Sequence, residues 1–338
     1  MAFIFDHNPI TSFWHKGLFK LSYLYEKWYG NPVSFTPPSG TADEASFDIY
    51  QLLVSDKPCM IARYGSTELY CLSNYLSIKR GKKNILGFIR FETEPWWWIH
   101  KRVVNMRDYS GFFPITEDAI IQFCEMMLED TQELDILGSW LPKEKELEKE
   151  LQRVKKIFLP FLEPYYATKP WTRALQDKRV VVVHPFSELI ESQFTSSREF
   201  LFSNPDVLPS FSLRTVKAIQ TLGGGEHSGF SSWFDALEWM EQEVDKEDYD
   251  FCIIGCGAYG FPLAAHVKRK GKKAIHLGGA TQLLFGIKGN RWEDPMYGVK
   301  EWGIPKGFYT HLFNEYWRKA GEQFKPQNAD KVEGACYW

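Results

Sequence analysis

The stretch that decides the fold is Tyr249–Leu277, YDFCIIGCGAYGFPLAAHVKRKGKKAIHL. Its apolar run Phe251–Ile254 stops at a glycine cluster, Gly255-Cys256-Gly257-Ala258-Tyr259-Gly260. A helical pattern follows in Leu263, Ala264 and Val267 and ends at Lys268-Arg269-Lys270 and Gly271, before a second apolar run, Ala274–Leu277. Strand, glycine turn, helix and strand in this length make one parallel βαβ unit. Glycines let the backbone turn tightly. Their bare Cα atoms let a phosphate reach the amides at the helix N-terminus, where the dipole favours an anion. The expected ligand is therefore a nucleotide or a nucleotide conjugate. A dinucleotide site also wants an acidic residue at the end of the second strand, about 20 residues on. Here that strand ends His276-Leu277-Gly278-Gly279. The same absence counts against an S-adenosylmethionine site, which Ile254-Gly255-Cys256-Gly257 otherwise matches. A glycine turn that only packs helix on strand is the plain alternative.

Outward from this unit, other apolar runs read as strands that end in special residues. Pro58–Ala62 runs into Arg63-Tyr64-Gly65-Ser66-Thr67-Glu68, then a helix with Leu69, Leu72 and Leu76 inward. Asp135–Gly138 is followed by Ser139-Trp140. The β-branched Arg179–Val183 ends at His184-Pro185-Phe186, before a helix carrying Glu188, Glu191 and Gln193. Leu213–Ile219 precedes a loop, Gly223–His227. Helices are expected over Glu44–Val54, from the cap Thr116 through Glu129, over the charged stretch Lys143–Ile157 (Leu147, Leu151 and Val154 on one stripe), and from Ser232 through Val244. Residues 80–115 read as irregular, and Gly279–Trp292 as a helix and then a loop.

About six β-runs alternating with helices predict a Rossmann-like α/β fold, a mostly parallel sheet with helices on both faces. It would occupy residues 46–292, with an aromatic N-terminal arm (1–45) and a C-terminal extension (293–338). Ligands collect at the C-terminal ends of such strands. Arg63–Glu68, Ser139–Trp140, His184–Glu188, Gly223–His227, Gly255–Gly260 and Gly278–Gln282 all fall there, which predicts one shared site.

Composition adds limits. The 338 residues are 44% hydrophobic and 25% charged, as in an ordinary globule, but an unusual 16% are aromatic, which fits either a dense core or an excess over what a core needs. Such an excess often lines carbohydrate or planar-ligand sites. A net charge of −3 gives no global field to recruit nucleic acid. Six cysteines without a C-x-x-C pair or metal spacing read as reduced and buried, in a cytoplasmic protein. No segment approaches a membrane span and no secretory signal is evident. Residues 1–30 interleave aromatics with lysines, and fit either an arm lying on the inner face of a membrane or one docked on the main domain.

Arg63–Glu68, Gly111-Phe112-Phe113-Pro114 and the I-x-L-G-G ending at Gly279 together resemble the GT-D type of glycosyltransferase, a Rossmann-like family of bacterial cell-surface polysaccharide and glycoprotein assembly. The resemblance spans roughly Phe47 to Trp292. It implies transfer of a sugar from a nucleotide-diphosphate donor to a glycan acceptor. The family's first loop resembles R-[FY]-G-D-G-E, whose carboxylates belong to the nucleotide-sugar and metal site. Arg63, Gly65 and Glu68 match it, while Ser66 stands in place of the first carboxylate. One carboxylate plus a hydroxyl is a poor site for Mn or Mg unless phosphates supply other ligands. The departure fits a metal-independent enzyme, a different donor or a degenerate site.

Sugar transfer needs cations or amides around the departing diphosphate. Arg63, Arg291 and the amides of Gly257–Gly260 are candidates, with Gly65, Ser66, Gly255, Tyr259, Gly279 and Gln282 beside them. An inverting reaction also needs a base, for which Glu68, His184 and Glu188 are candidates; His184 lies nearest the useful pKa range. Trp140, Trp171 or Trp96–Trp98 would offer a platform for a sugar ring. Against these stand plain readings: an Arg63–Glu68 pair, a satisfied strand-end His184, a solvated Glu188 and a packed tryptophan trio. A nucleotide-dependent methyltransferase or oxidoreductase, and a non-catalytic domain with a decayed site, also stay open.

Overall fold

The computed structural model describes residues 9–30, 33–221, 229–325 and 336–337. Seven strands form one sheet: β1 Cys59–Ala62, β2 Ile136–Ser139, β3 Lys155–Phe158, β4 Arg179–His184, β5 Ser212–Lys217, β6 Phe251–Ile254 and β7 Lys273–His276. Their order is β3-β2-β1-β7-β6-β4-β5, with every pairing parallel. This is the expected Rossmann-like α/β architecture. Parallel neighbours need crossover connections, which cover both faces, so β1, β2 and β6 are buried at every position.

The long helices are α1 Pro9–Tyr29, α2 Ala42–Val54, α3 Ser66–Arg80, α6 Glu117–Thr131, α7 Ser187–Leu201, α8 Trp233–Asp245 and α9 Gly260–Arg269; α4 Ile85–Ile89 and α5 His100–Asp108 are short. Local chemistry sets their ends. Thr41 and Glu44 form a capping box on α2, and the Thr116 and Ser232 hydroxyls accept the Ala119 and Asp235 amides at the starts of α6 and α8. Gly81 (φ 64°) closes α3 in the left-handed conformation that suits glycine. One face of the sheet carries α3, α6, α8 and α9 around Phe112, Phe123 and Trp233. The other carries α2 and α7 around Trp171, Phe186 and Phe285.

Two expectations give way. The stretch Lys143–Ile157 is not one helix: a 3-10 helix covers Pro142–Leu147, and Lys155–Phe158 is the edge strand β3, with Ile157 opposite Gly138. Its lysines sit on a sheet edge, where charge is tolerated, and pairing with β2 overrides the helical stripe. Residues 80–115 are not irregular throughout, since α4 and α5 lie within them. Asn74 explains much of their order: its side-chain amide donates to the Pro95 and Trp97 carbonyls and accepts from Ile99 N–H. The C-terminal extension packs on the main core through Tyr309 and Trp317.

Candidate functional site

The loops that leave the strand ends enclose a cavity of about 730 Å³. Arg63, after β1, and Gly257, after β6, line it together, as do Trp140 after β2, His184 at the end of β4, Thr221 after β5 and Gly279 after β7. The expected convergence is therefore present. Of the stretch Gly223–His227, residues 222–228 lie outside the described residues. Four cationic side chains, Arg63, Lys101, Arg102 and Arg291, and one carboxylate, Glu68, are among the described lining residues. That balance suits an anion.

The β1 loop supplies the charge. Arg63 lies with its guanidinium 4.8 Å from the centre of the Trp140 ring, and the Trp140 indole N–H donates to the Tyr64 carbonyl at 3.0 Å. Glu144 holds the turn beneath them by accepting the Trp140 and Leu141 amides at 2.9 and 3.0 Å. Burial lowers the Arg63 pKa, opposed by Tyr337 and Glu68, and the group stays cationic. No ion pair joins Arg63 to Glu68 among the described residues. Glu68 instead turns back over the Cα of Gly65 and accepts a hydrogen bond from the buried Ser110 hydroxyl at 2.6 Å. Any side chain at Gly65 would collide with that carboxylate. Ser66 and Thr67, at the cavity wall, open α3, and no side chain caps its N-terminus at Gly65.

The β6 loop supplies bare backbone. Gly257 has φ 61° and nothing within 4 Å of where a Cβ would stand, so its face is open for close approach. The other two glycines of the motif do a different job. A Cβ at Gly255 would stand 2.6 Å from Thr281 and 2.7 Å from the His184 ring, and one at Gly260 2.2 Å from the His276 ring. Gly260 is buried and does not line the cavity. Tyr259 stacks on Trp233 at 4.5 Å, with its hydroxyl 2.8 Å from that of Thr221; its ring belongs to the core.

Two proposed bases look different once placed. His184 accepts the Phe186 amide on Nδ1 at 3.0 Å, and burial pushes its pKa down to about 3. The proton of this neutral ring then belongs on Nε2, which makes His184 a donor rather than a base near neutrality. Glu188 is exposed, pairs with Lys217 at 3.0 Å and does not line the cavity. Among the platforms, Trp171 is fully buried with its N–H on the Leu162 carbonyl, and Trp97 packs against Phe88 and His15. Only Trp140 faces the site.

Lys101, Arg102 and Asn105 of α5, Ser110 and Tyr337 also line the cavity, although the sequence reading gave none of them a role in the site. Arg102 is held by the buried Glu94, which also pairs with Lys143. Burial would raise the Glu94 pKa, but these two cations outweigh it and hold it below the usual range. Tyr337 closes over Gly279, and its carbonyl accepts from the Gln282 side chain at 3.1 Å. Arg291 stacks on the Tyr337 ring at 4.4 Å and reaches the Cys336 sulfur at 2.6 Å. A second cavity, about 370 Å³, adjoins the first across Arg63, Trp140, Gly279, Arg291 and Tyr337, and reaches Glu163, whose pKa burial pushes up to about 7.

No group of three His, Cys, Asp or Glu suited to a metal is found among the described residues. Glu68 has Ser110 beside it rather than a second carboxylate, so these donors do not by themselves make a site for Mn or Mg. Among the described residues, no helix is long and apolar enough to cross a membrane. Comparison of the chain with protein-family models, curated proteins and solved structures finds no match.

Proposed function

We propose that the larger cavity binds a nucleoside-diphosphate sugar and that the protein transfers the sugar to a glycan acceptor. The carrying observation is that Arg63, which makes no ion pair among the described residues, and the open backbone of Gly257 border one cavity, with cations in excess among the described lining residues and no side-chain cap on the helix N-terminus at Ser66. Arg63 and the amides after Gly257 would hold the diphosphate and stabilise the charge it gains on leaving. Trp140, fixed by Tyr64, would carry an apolar sugar face. Glu68 is the carboxylate available as base. It would take the proton of an acceptor hydroxyl as that oxygen bonds to the anomeric carbon and the diphosphate departs with the bonding pair. His184 would donate from Nε2. No step is assigned to a metal. The place of this chemistry in bacterial surface polysaccharide assembly, at the cytoplasmic side, rests on the resemblance in the first loop.

Calorimetry with uridine diphosphate, with and without manganese, tests the ligand class, and release of the diphosphate from nucleotide sugars tests the transfer. The reading expects binding that Arg63→Ala abolishes without a change in fold. A response to adenosine ligands and none to nucleoside diphosphates would move the protein to the methyltransferase or oxidoreductase class. Binding of the diphosphate without turnover of any nucleotide sugar would leave a binding domain.

A further inference from the structure

We propose that α1, with the adjoining turn of α4, is a docking surface for an anionic membrane. The inner stripe of α1 is already satisfied. Leu18 and Ser22 are buried, His15 stacks on Trp97 at 3.9 Å, and Phe19 meets Phe88 edge-on at 5.3 Å. The helix is thus fastened to the domain, and what it turns outward is left over from folding.

That outer side is apolar to an unusual degree. Of the fifteen exposed large hydrophobic residues among those described, eight lie on α1, six of them clear of the docked stripe on which Phe19 and Tyr29 fall, and two more, Ile85 and Leu86, on α4 beside it. Phe13, Trp14 and Trp28 are 76%, 67% and 79% exposed. At 3.6 residues per turn, Phe13, Leu24, Trp28, Leu21 and Trp14 fall within an arc of about 100°. Lys16, Lys20 and Lys27 form the next arc, between the apolar strip and one edge of the docked stripe. Exposed Lys82, Lys83 and Arg90 flank α4. Residues 9–30 and 82–90 therefore hold six lysine and arginine residues and one acid, Glu26, in a chain of net charge −3.

An apolar strip rich in Trp and Phe with lysines along its margin is the pattern of a helix lying in the bilayer interface. The rings enter the headgroup boundary and the lysines meet anionic lipid. A second copy of the chain is a poorer occupant, because a two-fold interface on this patch would set the two lysine arcs near each other. Trp97, against which α1 leans, is two residues from Ile99 in the cavity wall. A bilayer under α1 would thus lie beside the α5 wall of the cavity. The docking itself does not depend on the chemistry proposed above.

The test is co-sedimentation of the full chain with vesicles of phosphatidylcholine, with and without phosphatidylglycerol. The expected result is binding to the anionic vesicles that high salt weakens. The exposed-site variant Trp14→Ser/Trp28→Ser should partition at least about tenfold less while keeping its melting temperature. Lys16→Glu/Lys20→Glu/Lys27→Glu should lose the preference for anionic lipid. A wild-type chain that stays in solution with both vesicles overturns the proposal, as do variants that bind like the wild type. So does a dimer, seen by analytical ultracentrifugation, that Trp28→Ser dissolves while vesicles capture nothing. Uridine diphosphate affinity measured on the same variants keeps the two ideas apart, since it should not change with α1.

Discussion

The loops after β1 and β6 face each other across one cavity and contribute opposite things. The β1 loop brings side chains: Arg63 laid on Trp140, and Glu68 folded back onto Ser110. The β6 loop brings the lack of them, and unevenly. Gly255 and Gly260 are small because the buried rings of His184 and His276 fill the space a Cβ would need. Gly257 faces open space. A single G-x-G-x-x-G spacing therefore mixes two packing glycines with one that is free to meet a ligand.

The comparison can be broken first by acid. Burial lowers both His184 and His276 to about 3, from the ordinary 6.5. The unfolded chain takes protons that the folded one refuses, so the stability present above pH 6.5 is lost as pH falls toward 3. Fully developed, this amounts to on the order of 5 kcal/mol for each histidine. Urea midpoints between pH 6.5 and 4 check it: His184→Asn should flatten the slope, and an unchanged slope would mean that His184 is not buried neutral.

Next in size, Arg63→Ala should lower kcat/KM for the nucleotide sugar by about 10²–10³-fold, with the melting temperature nearly constant because Arg63 makes no ion pair among the described residues and Glu68 keeps its bond from Ser110. Full activity in this variant would remove the β1 loop from the site. Gly260→Ala should then cost about 1–3 kcal/mol of stability by overpacking His276, without changing diphosphate affinity in the folded fraction. An unperturbed melting temperature would undo the division of the glycines. Smallest in stability is Gly257→Val, for which φ 61° sets a strain of about 1–2 kcal/mol. Its larger effect should be on uridine diphosphate binding, read by calorimetry, and unchanged affinity would relocate the nucleotide.

Much of this was legible beforehand because it is local. The strand at Phe251–Ile254, the glycine stop at Gly271 and the cap at Thr116 follow from neighbouring residues. What misled was charge without context. Lys143–Ile157 carries a helical stripe, yet its last residues are an edge strand, because β2 offers open hydrogen-bonding partners. Glu68 and Glu188 both stood as acids after a strand, the second with a solvated reading beside it, and packing sends one under Ser110 and the other to Lys217.

By itself, the order of amino acids determined the class of sheet and which loops end at its rim, since both follow from periodicities of two and 3.6 residues and from glycine's freedom. Tertiary structure decided what each rim residue is able to do. It made His184 a neutral donor, brought Arg102 and Tyr337 to the cavity, and left the tryptophans of α1 outside. Burial and charge pairing depend on residues far apart in the chain, and those distances exist only once it has folded.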